Sequence, residues 1–346
     1  MGRRHWLICC LCAVIIMACK KGRETTPDIF PGFQKPAGFP EPAYPLSRNP
    51  VTQAGFMLGR ALFYEPRLSR DNTISCGSCH MQSSAFTQHG HDVSHGIDDR
   101  LGTRNSPPIM NLAWSKAFMW GGGVYDLDLQ PIVPITTHEE MDEDLNRVLG
   151  KLRALPVYTG RFREAFGSAD ITTARMMRAL SQFMLMCISS NSRYDRVMRG
   201  EPAAAFSAAE KQGYALFKEK CASCHTEPLF TDGTFRNNGL APGPVNDLGL
   251  YTATLVNTDR YRFKVPSLRN LSYTAPYMHD GRFLSLEGVL NHYNNEVQHT
   301  SGTDPLLLQE ARPGIRLSAD DKIKLILFLK TLDDESFITN LLLSEQ

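Results

Sequence analysis

The 346-residue sequence predicts an all-α fold in two domains, and three observations predict it. Cys76-Gly77-Ser78-Cys79-His80 and Cys221-Ala222-Ser223-Cys224-His225 repeat one Cys-x-x-Cys-His pattern in the two halves of the chain. Helix-capping signals and apolar spacing near 3.6 residues dominate outside long loops. No set of strongly alternating segments reads as a sheet.

The repeated pattern carries the chemistry. Thiols at i and i+3 lie on one side of a helical turn, where each can bond a haem vinyl group. The adjacent His then falls on the iron as proximal ligand. Each run ends in His, and no further Cys pair completes a four-thiolate site. The pattern therefore predicts two covalently bound c-type haems, with Cys76, Cys79 and His80 holding one and Cys221, Cys224 and His225 the other. A zinc site or a redox dithiol is the alternative. One haem per domain gives two cytochrome c-like domains, each wrapped around its haem.

The N-terminus comes first in chain order. Arg3 and Arg4 precede an apolar stretch, Trp6 to Ala18, too short for a mature transmembrane helix. It ends Ile16-Met17-Ala18-Cys19, which resembles a bacterial lipobox. Residues 1–18 are expected to be a lipoprotein signal peptide, Cys19 the lipidated first residue, and 19–35 a tether that begins with the polar run 20–27. An uncleaved anchor is the alternative. The protein is expected in the periplasm, held to a membrane by its lipid alone.

The N-terminal domain is expected over 36–200. Its loop 87–137 is long enough to imply function. Residues 171–198 read as one long helix. Gly, Pro and Ala interrupt the pattern near 199–205, so the second domain is expected over 201–346. Ser207 and Glu210 form a capping box for a helix leading into the second motif. A further long loop spans 228–281. Ser318 and Asp321 cap an amphipathic helix over 319–332. Cys9, Cys10 and Cys12 fall in the signal, and Cys187 remains as a buried structural thiol. The formal net charge is +1 and no basic run is interleaved with aromatics, which excludes nucleic acid as a partner.

Several segments go beyond the haem motifs: Gly102-Thr103-Arg104-Asn105-Ser106-Pro107, Phe118-Met119-Trp120, Pro134 through Glu140-Met141, and Lys264-Val265-Pro266-Ser267-Leu268-Arg269-Asn270 running on to Thr274-Ala275-Pro276-Tyr277-Met278-His279-Asp280-Gly281. With them the chain resembles the bacterial diheme cytochrome c peroxidase family, including its MauG-type branch, over about residues 40–335. The resemblance implies that peroxide reacts at the N-terminal haem while the C-terminal haem relays electrons. Trp120 matches the Trp between the haems, its alternative being a core aromatic. Gln130 and Glu140 match polar residues of the peroxide pocket. Glu140 would be the acid–base group, since the family places the acid directly before Met, here Met141, and Glu139 would be its solvated neighbour. Pro134 matches a distal-pocket Pro of the MauG branch. The chain departs from the family's Trp-Asp-Gly-Arg with Trp120-Gly121-Gly122-Gly123, which implies loss of a charged pair and a looser loop.

For the iron ligated by His225, the resemblance places the distal ligand at Tyr293, with Met278 as fallback and His292 as a third candidate; His279 would be a supporting residue near the haem. For the iron ligated by His80, a removable distal His is expected from His89, His91 or His95, with His95 best spaced; a surface loop His is the alternative. One calcium ion is implied, held by Asn105 and the carbonyls of Thr274 and Pro276; a turn without metal is the alternative. The implied activity is that of a cytochrome-c peroxidase-type oxidoreductase. It would reduce hydrogen peroxide to water with electrons from a small cytochrome c or cupredoxin. The alternative is a MauG-like diheme oxidase that oxidises a protein or organic substrate through a high-valent diheme state. A non-catalytic dihaem electron carrier is the third reading. Family members are often homodimers.

Overall fold

The computed structural model describes residues 30–300, 302–309 and 311–346. The signal peptide, Cys19 and tether residues 19–29 lie outside the described residues. In chain order the helices are α1 (Gln53–Phe63), α2 (Cys76–Cys79), α3 (Ile132–Thr136), α4 (Leu145–Arg153), α5 (Pro156–Phe166) and α6 (Thr173–Met186). They continue with α7 (Arg193–Met198), α8 (Ala208–Lys220), α9 (Tyr251–Thr254), α10 (Leu286–Asn291), α11 (Ala319–Leu329) and α12 (Glu335–Ile338). Residues 32–346 pack together as one unit. No helix among the described residues is long and apolar enough to cross a membrane.

Two helix pairs, one on each side of residue 200, are built alike. In the first, Thr52 caps α1, and the buried Phe56, Leu58, Leu62 and Phe63 pack it on α6. The crossing requires Gly59, because a Cβ there would stand 1.9 Å from the Ala179 carbonyl oxygen. In the second, α8 packs on α11, and both open on the expected capping boxes, Ser207 with Glu210 and Ser318 with Asp321. Here Gly213 makes the approach, since its Cβ would stand 2.0 Å from the Lys324 carbonyl oxygen. Phe217, Phe230 and Phe328 fill the core beneath, with the Phe217 and Phe328 ring centres 5.2 Å apart. Fully buried Arg269 is held by Asp195 through two hydrogen bonds of 2.8 and 2.7 Å.

The single helix expected over 171–198 is instead two. The chain leaves helical geometry at Cys187, and α7 restarts at Ser192 with its own capping box to Asp195. Tertiary partners take the backbone groups of the break. The Asp334 carboxylate accepts the Ser190 and Asn191 N–H groups, both at 2.9 Å, and Asn111 Oδ1 accepts the Ser189 N–H at 3.0 Å. These bonds replace the helical ones, so apolar periodicity alone runs straight through the break. Cys187 is buried.

The long loops hold short 3₁₀ turns, α3, α9 and one two-stranded ribbon. Its strands, β1 (Phe235–Arg236) and β2 (Phe263–Lys264), pair antiparallel with Phe235 opposite Lys264. The last residues return to the beginning of the fold. Arg60 of α1 and Tyr64 at its C-cap donate to the carbonyls of Leu342 and Leu343 at 2.8 and 2.9 Å. Gln82, just past the first motif, donates to Phe337 and Asn340.

Two cavities at the Cys-x-x-Cys-His motifs

Each motif opens on a cavity. The first is about 50 Å³ and is lined by Cys76, Cys79, His80, Ser94, His95, Gln130, Pro134 and Glu140 over an apolar floor that includes Phe63, Leu180 and Met184. The second is about 620 Å³ and is lined by Cys221, Cys224, His225, Trp120, Met278, Tyr293 and many apolar residues of α8, α10 and α11.

One local device sets both histidines. His80 Nδ1 lies 2.8 Å from the Phe86 carbonyl oxygen, and His225 Nδ1 lies 3.1 Å from that of Phe230 and 3.2 Å from that of Pro266. A carbonyl only accepts, so Nδ1 carries the proton and Nε2 keeps its lone pair for a metal. Phe86 and Phe230 reach these positions with φ of 60° and 55°, a left-handed conformation uncommon for a bulky side chain. The sequence gives no cue to it. Burial holds both imidazoles below the ordinary histidine range, which favours their neutral form.

The donor set fits haem and argues against the alternatives. Burial pushes the Cys76 and Cys221 thiols up to about 12, and those of Cys79 and Cys224 also upward. A redox dithiol needs the opposite shift. Among the described residues no three or more His, Cys, Asp or Glu gather as a metal cluster, so no zinc set is assembled. The second cavity has the volume and apolar walls of a cofactor site. The first has the same kinds of donors in a narrower space, lined also by Ser94, His95, Gly96 and Glu140.

The residues expected to face peroxide converge on the first cavity. Gln130 follows a 3₁₀ turn at Leu127–Leu129, Pro134 sits within α3, and Glu140 follows the turn after it. Glu140 lines the cavity while Glu139 is exposed. Burial first, and the Glu139 charge second, hold the Glu140 carboxyl above its ordinary value. Gln130 Nε2 contacts Met119 Sδ at 3.6 Å. His95 lines the cavity with Nδ1 2.5 Å from Asp99 Oδ1, whereas His89 and His91 are exposed and line neither cavity.

The second cavity gathers the other set. Tyr293 lies in a π turn, His292–Glu296, which continues α10. Such turns recur at functional sites; the helical spacing of the sequence does not reveal this one. Burial pushes the Tyr293 phenol up to about 12 against an opposing hydrogen bond from Asn238. Met278 lines the same wall with its Sδ 3.6 Å from Asn238 Nδ2. His292 is buried with Nε2 3.2 Å from the Asn238 carbonyl and does not line the cavity. Asn105, Thr274 and Pro276 all line it, and the Trp120 indole N–H donates to the Asn105 carbonyl at 2.8 Å. His279 is buried and stacks on Phe263 at 3.7 Å.

The Trp120–Gly123 segment lacks the Asp and Arg of the family pattern, and a different charged pair stands against Gly121: Arg104 Nε and Nη2 donate to Asp247 at 2.5 and 2.8 Å. Gly121 makes room for it, since a Cβ there would lie 2.9 Å from Arg104 Nη1. The carboxylate arrives from a distant loop, out of reach of a local motif. The segment is also tied down, with the Lys264 N–H donating to the Trp120 carbonyl at 2.8 Å.

Comparison with known proteins shows the family. The family model for di-haem cytochrome c peroxidase matches residues 53–203. The chain is 38% identical over 314 residues to the methylamine utilization protein MauG of Methylorubrum extorquens, covering 88% of this chain and 84% of that one. It is 31% identical to the cytochrome c551 peroxidase of Nitrosomonas europaea, covering 84% of each. A crystal structure described as a MauG-like protein associated with microbial copper homeostasis superposes with a TM-score of 0.83 at 32% identity, covering 90% of this chain and 98% of that one. The paired haem motifs, the helical fold and these relatives together place the chain in the di-haem cytochrome c peroxidase family, a family of oxidoreductases, on its MauG-type branch.

Proposed function

We propose that this protein is a periplasmic di-haem peroxidase that reduces hydrogen peroxide to water at its N-terminal site, with electrons entering through its C-terminal site from a small cytochrome c or cupredoxin. The observation that carries the reading is the convergence of Gln130, Pro134 and Glu140 on the cavity of Cys76, Cys79 and His80, and on that cavity alone. When bound there, haem supplies the iron at which the peroxide O–O bond is cleaved. Glu140, kept from solvent, holds a proton at its carboxyl and passes it between the two peroxide oxygens. Gln130 orients peroxide by hydrogen bonding, and Pro134 narrows the access. Trp120, whose indole is fixed on the Asn105 carbonyl, lies on the route toward the second site. Stopped-flow absorption of the ferric protein mixed with hydrogen peroxide tests the reading. A rapid change is expected without prior reduction. Change only after one-electron reduction would assign His95 as a removable ligand, and no reaction in either state would leave an electron carrier.

Tyr293 favours a second reading, a MauG-like oxidase acting on a protein or organic substrate. A phenolate is a hard anionic donor that stabilises oxidised iron, and Tyr293 shares the wall of the second cavity with Met278. The division at residue 200, attachment through Cys19, and one calcium at Asn105, Thr274 and Pro276 belong to the same proposal. Chelation followed by metal analysis checks the last: one calcium per chain is expected, and fewer in Asn105→Ala.

A further inference from the structure

Lys264 carries a charge that its surroundings do not balance. It lies in β2, half-buried in the wall of the second cavity. Its ammonium donates to the Ala117 carbonyl oxygen at 3.0 Å and forms no ion pair with any described carboxylate. Other cations in the same wall are paired. Arg236 binds Asp232 and Asp304 at 2.8 and 2.9 Å, Arg269 binds Asp195 at 2.7 Å, and Lys220 binds Glu219 at 2.9 Å. Burial, with no opposing charge, pushes the Lys264 ammonium down to about 8. An ammonium has three N–H donors, and enclosing it without a counter-ion is unfavourable. A partner anion with carboxylate-type oxygens, entering the cavity, would remove that cost.

The cavity already implies such an anion. It has the thiols and neutral imidazole for a tetrapyrrole, and a haem carries two carboxylate side chains. We propose that Lys264 is the buried counter-charge for a haem carboxylate at the Cys221–Cys224–His225 site, so that this haem is seated by an ion pair as well as by its thioether bonds. The inference rests on reading that cavity as a haem site and does not depend on peroxide turnover. An acetate-like carboxylate from solution offers the same chemistry, and the experiment separates the two sources.

The test uses the full-length holoprotein with K264M and K264R, read by redox titration and resonance Raman spectroscopy of both haems. In K264M the reduced-to-oxidised ratio of the C-terminal haem at fixed ambient potential should fall tenfold or more, which is about 59 mV for one electron. The propionate bending band of that haem should shift, K264R should restore both, and the N-terminal haem should not respond. Added acetate should leave the wild type unchanged. An unmoved propionate band in K264M overturns the proposal. So does an acetate-dependent shift in the wild type that K264M abolishes, because that assigns Lys264 to a free carboxylate. If K264M does not retain haem, K264Q, which keeps a donor for Ala117, is read by the same criteria.

Discussion

At the two motifs the chain repeats its attachment device and changes what faces it. In both places a left-handed Phe offers its carbonyl to the histidine Nδ1, and a glycine lets two helices cross at backbone contact. The opposite walls diverge. The first cavity is small and presents an acid, an amide and an imidazole, Glu140, Gln130 and His95. The second is large and presents a phenol, a thioether and an ammonium, Tyr293, Met278 and Lys264. Groups able to carry protons line one site, and groups able to supply charge or donor atoms line the other. The difference teaches that attachment and reactivity are separately encoded, the first by a short repeated run and the second by residues from remote loops.

The strongest way to break the comparison is Glu140→Gln. It should slow the peroxide reaction by about 10²–10⁴-fold, the usual worth of a positioned acid–base group, while both haem spectra persist. An unchanged stopped-flow rate would remove the distinction between the two walls. Tyr293→Met should act only on the second site. Exchanging a phenolate for a thioether should raise the reduced-to-oxidised ratio of the C-terminal haem at least tenfold at fixed potential, about 59 mV by redox titration, and leave the peroxide-reacting haem alone. Gly59→Ala and Gly213→Ala test the shared scaffold. Each forces a methyl against a backbone carbonyl and should cost about 1–3 kcal/mol in thermal unfolding, with the first loosening the N-terminal site and the second the C-terminal one.

The smallest effect is a pH dependence. The Glu140 carboxyl sits above its ordinary value of 4.5, so its proton-accepting form is lost as pH falls through that raised value. The acid limb of the peroxide reaction should therefore lie above pH 4.5 and disappear in Glu140→Gln. The stability sign is opposite. A raised carboxyl favours the protonated fold, so stability declines as pH rises through the same value, and Glu140→Gln should remove that decline.

What the sequence made legible was local. The haem motifs and the boxes at Ser207 and Ser318 each rest on residues within a few positions of one another. What it hid depends on distant partners. The break after Met186 is written in Asn111 and Asp334, which accept the backbone groups that a helix would have used. The carboxylate paired with Arg104 comes from Asp247, and the enclosure of Lys264 follows from the walls of a cavity. The left-handed Phe86 and Phe230 follow no residue preference, since a bulky side chain disfavours that conformation and only the surrounding packing holds it.

Residues 337–343 act as a clasp between segments far apart in sequence. The carbonyls of Leu342 and Leu343 accept from Arg60 and Tyr64, and those of Phe337 and Asn340 accept from Gln82, across separations of 255 to 282 residues. Removing this segment would leave the Arg60 guanidinium and the Gln82 amide without those acceptors, so the damage would be felt at α1 and beside the first motif, although the residues lost lie beyond the second.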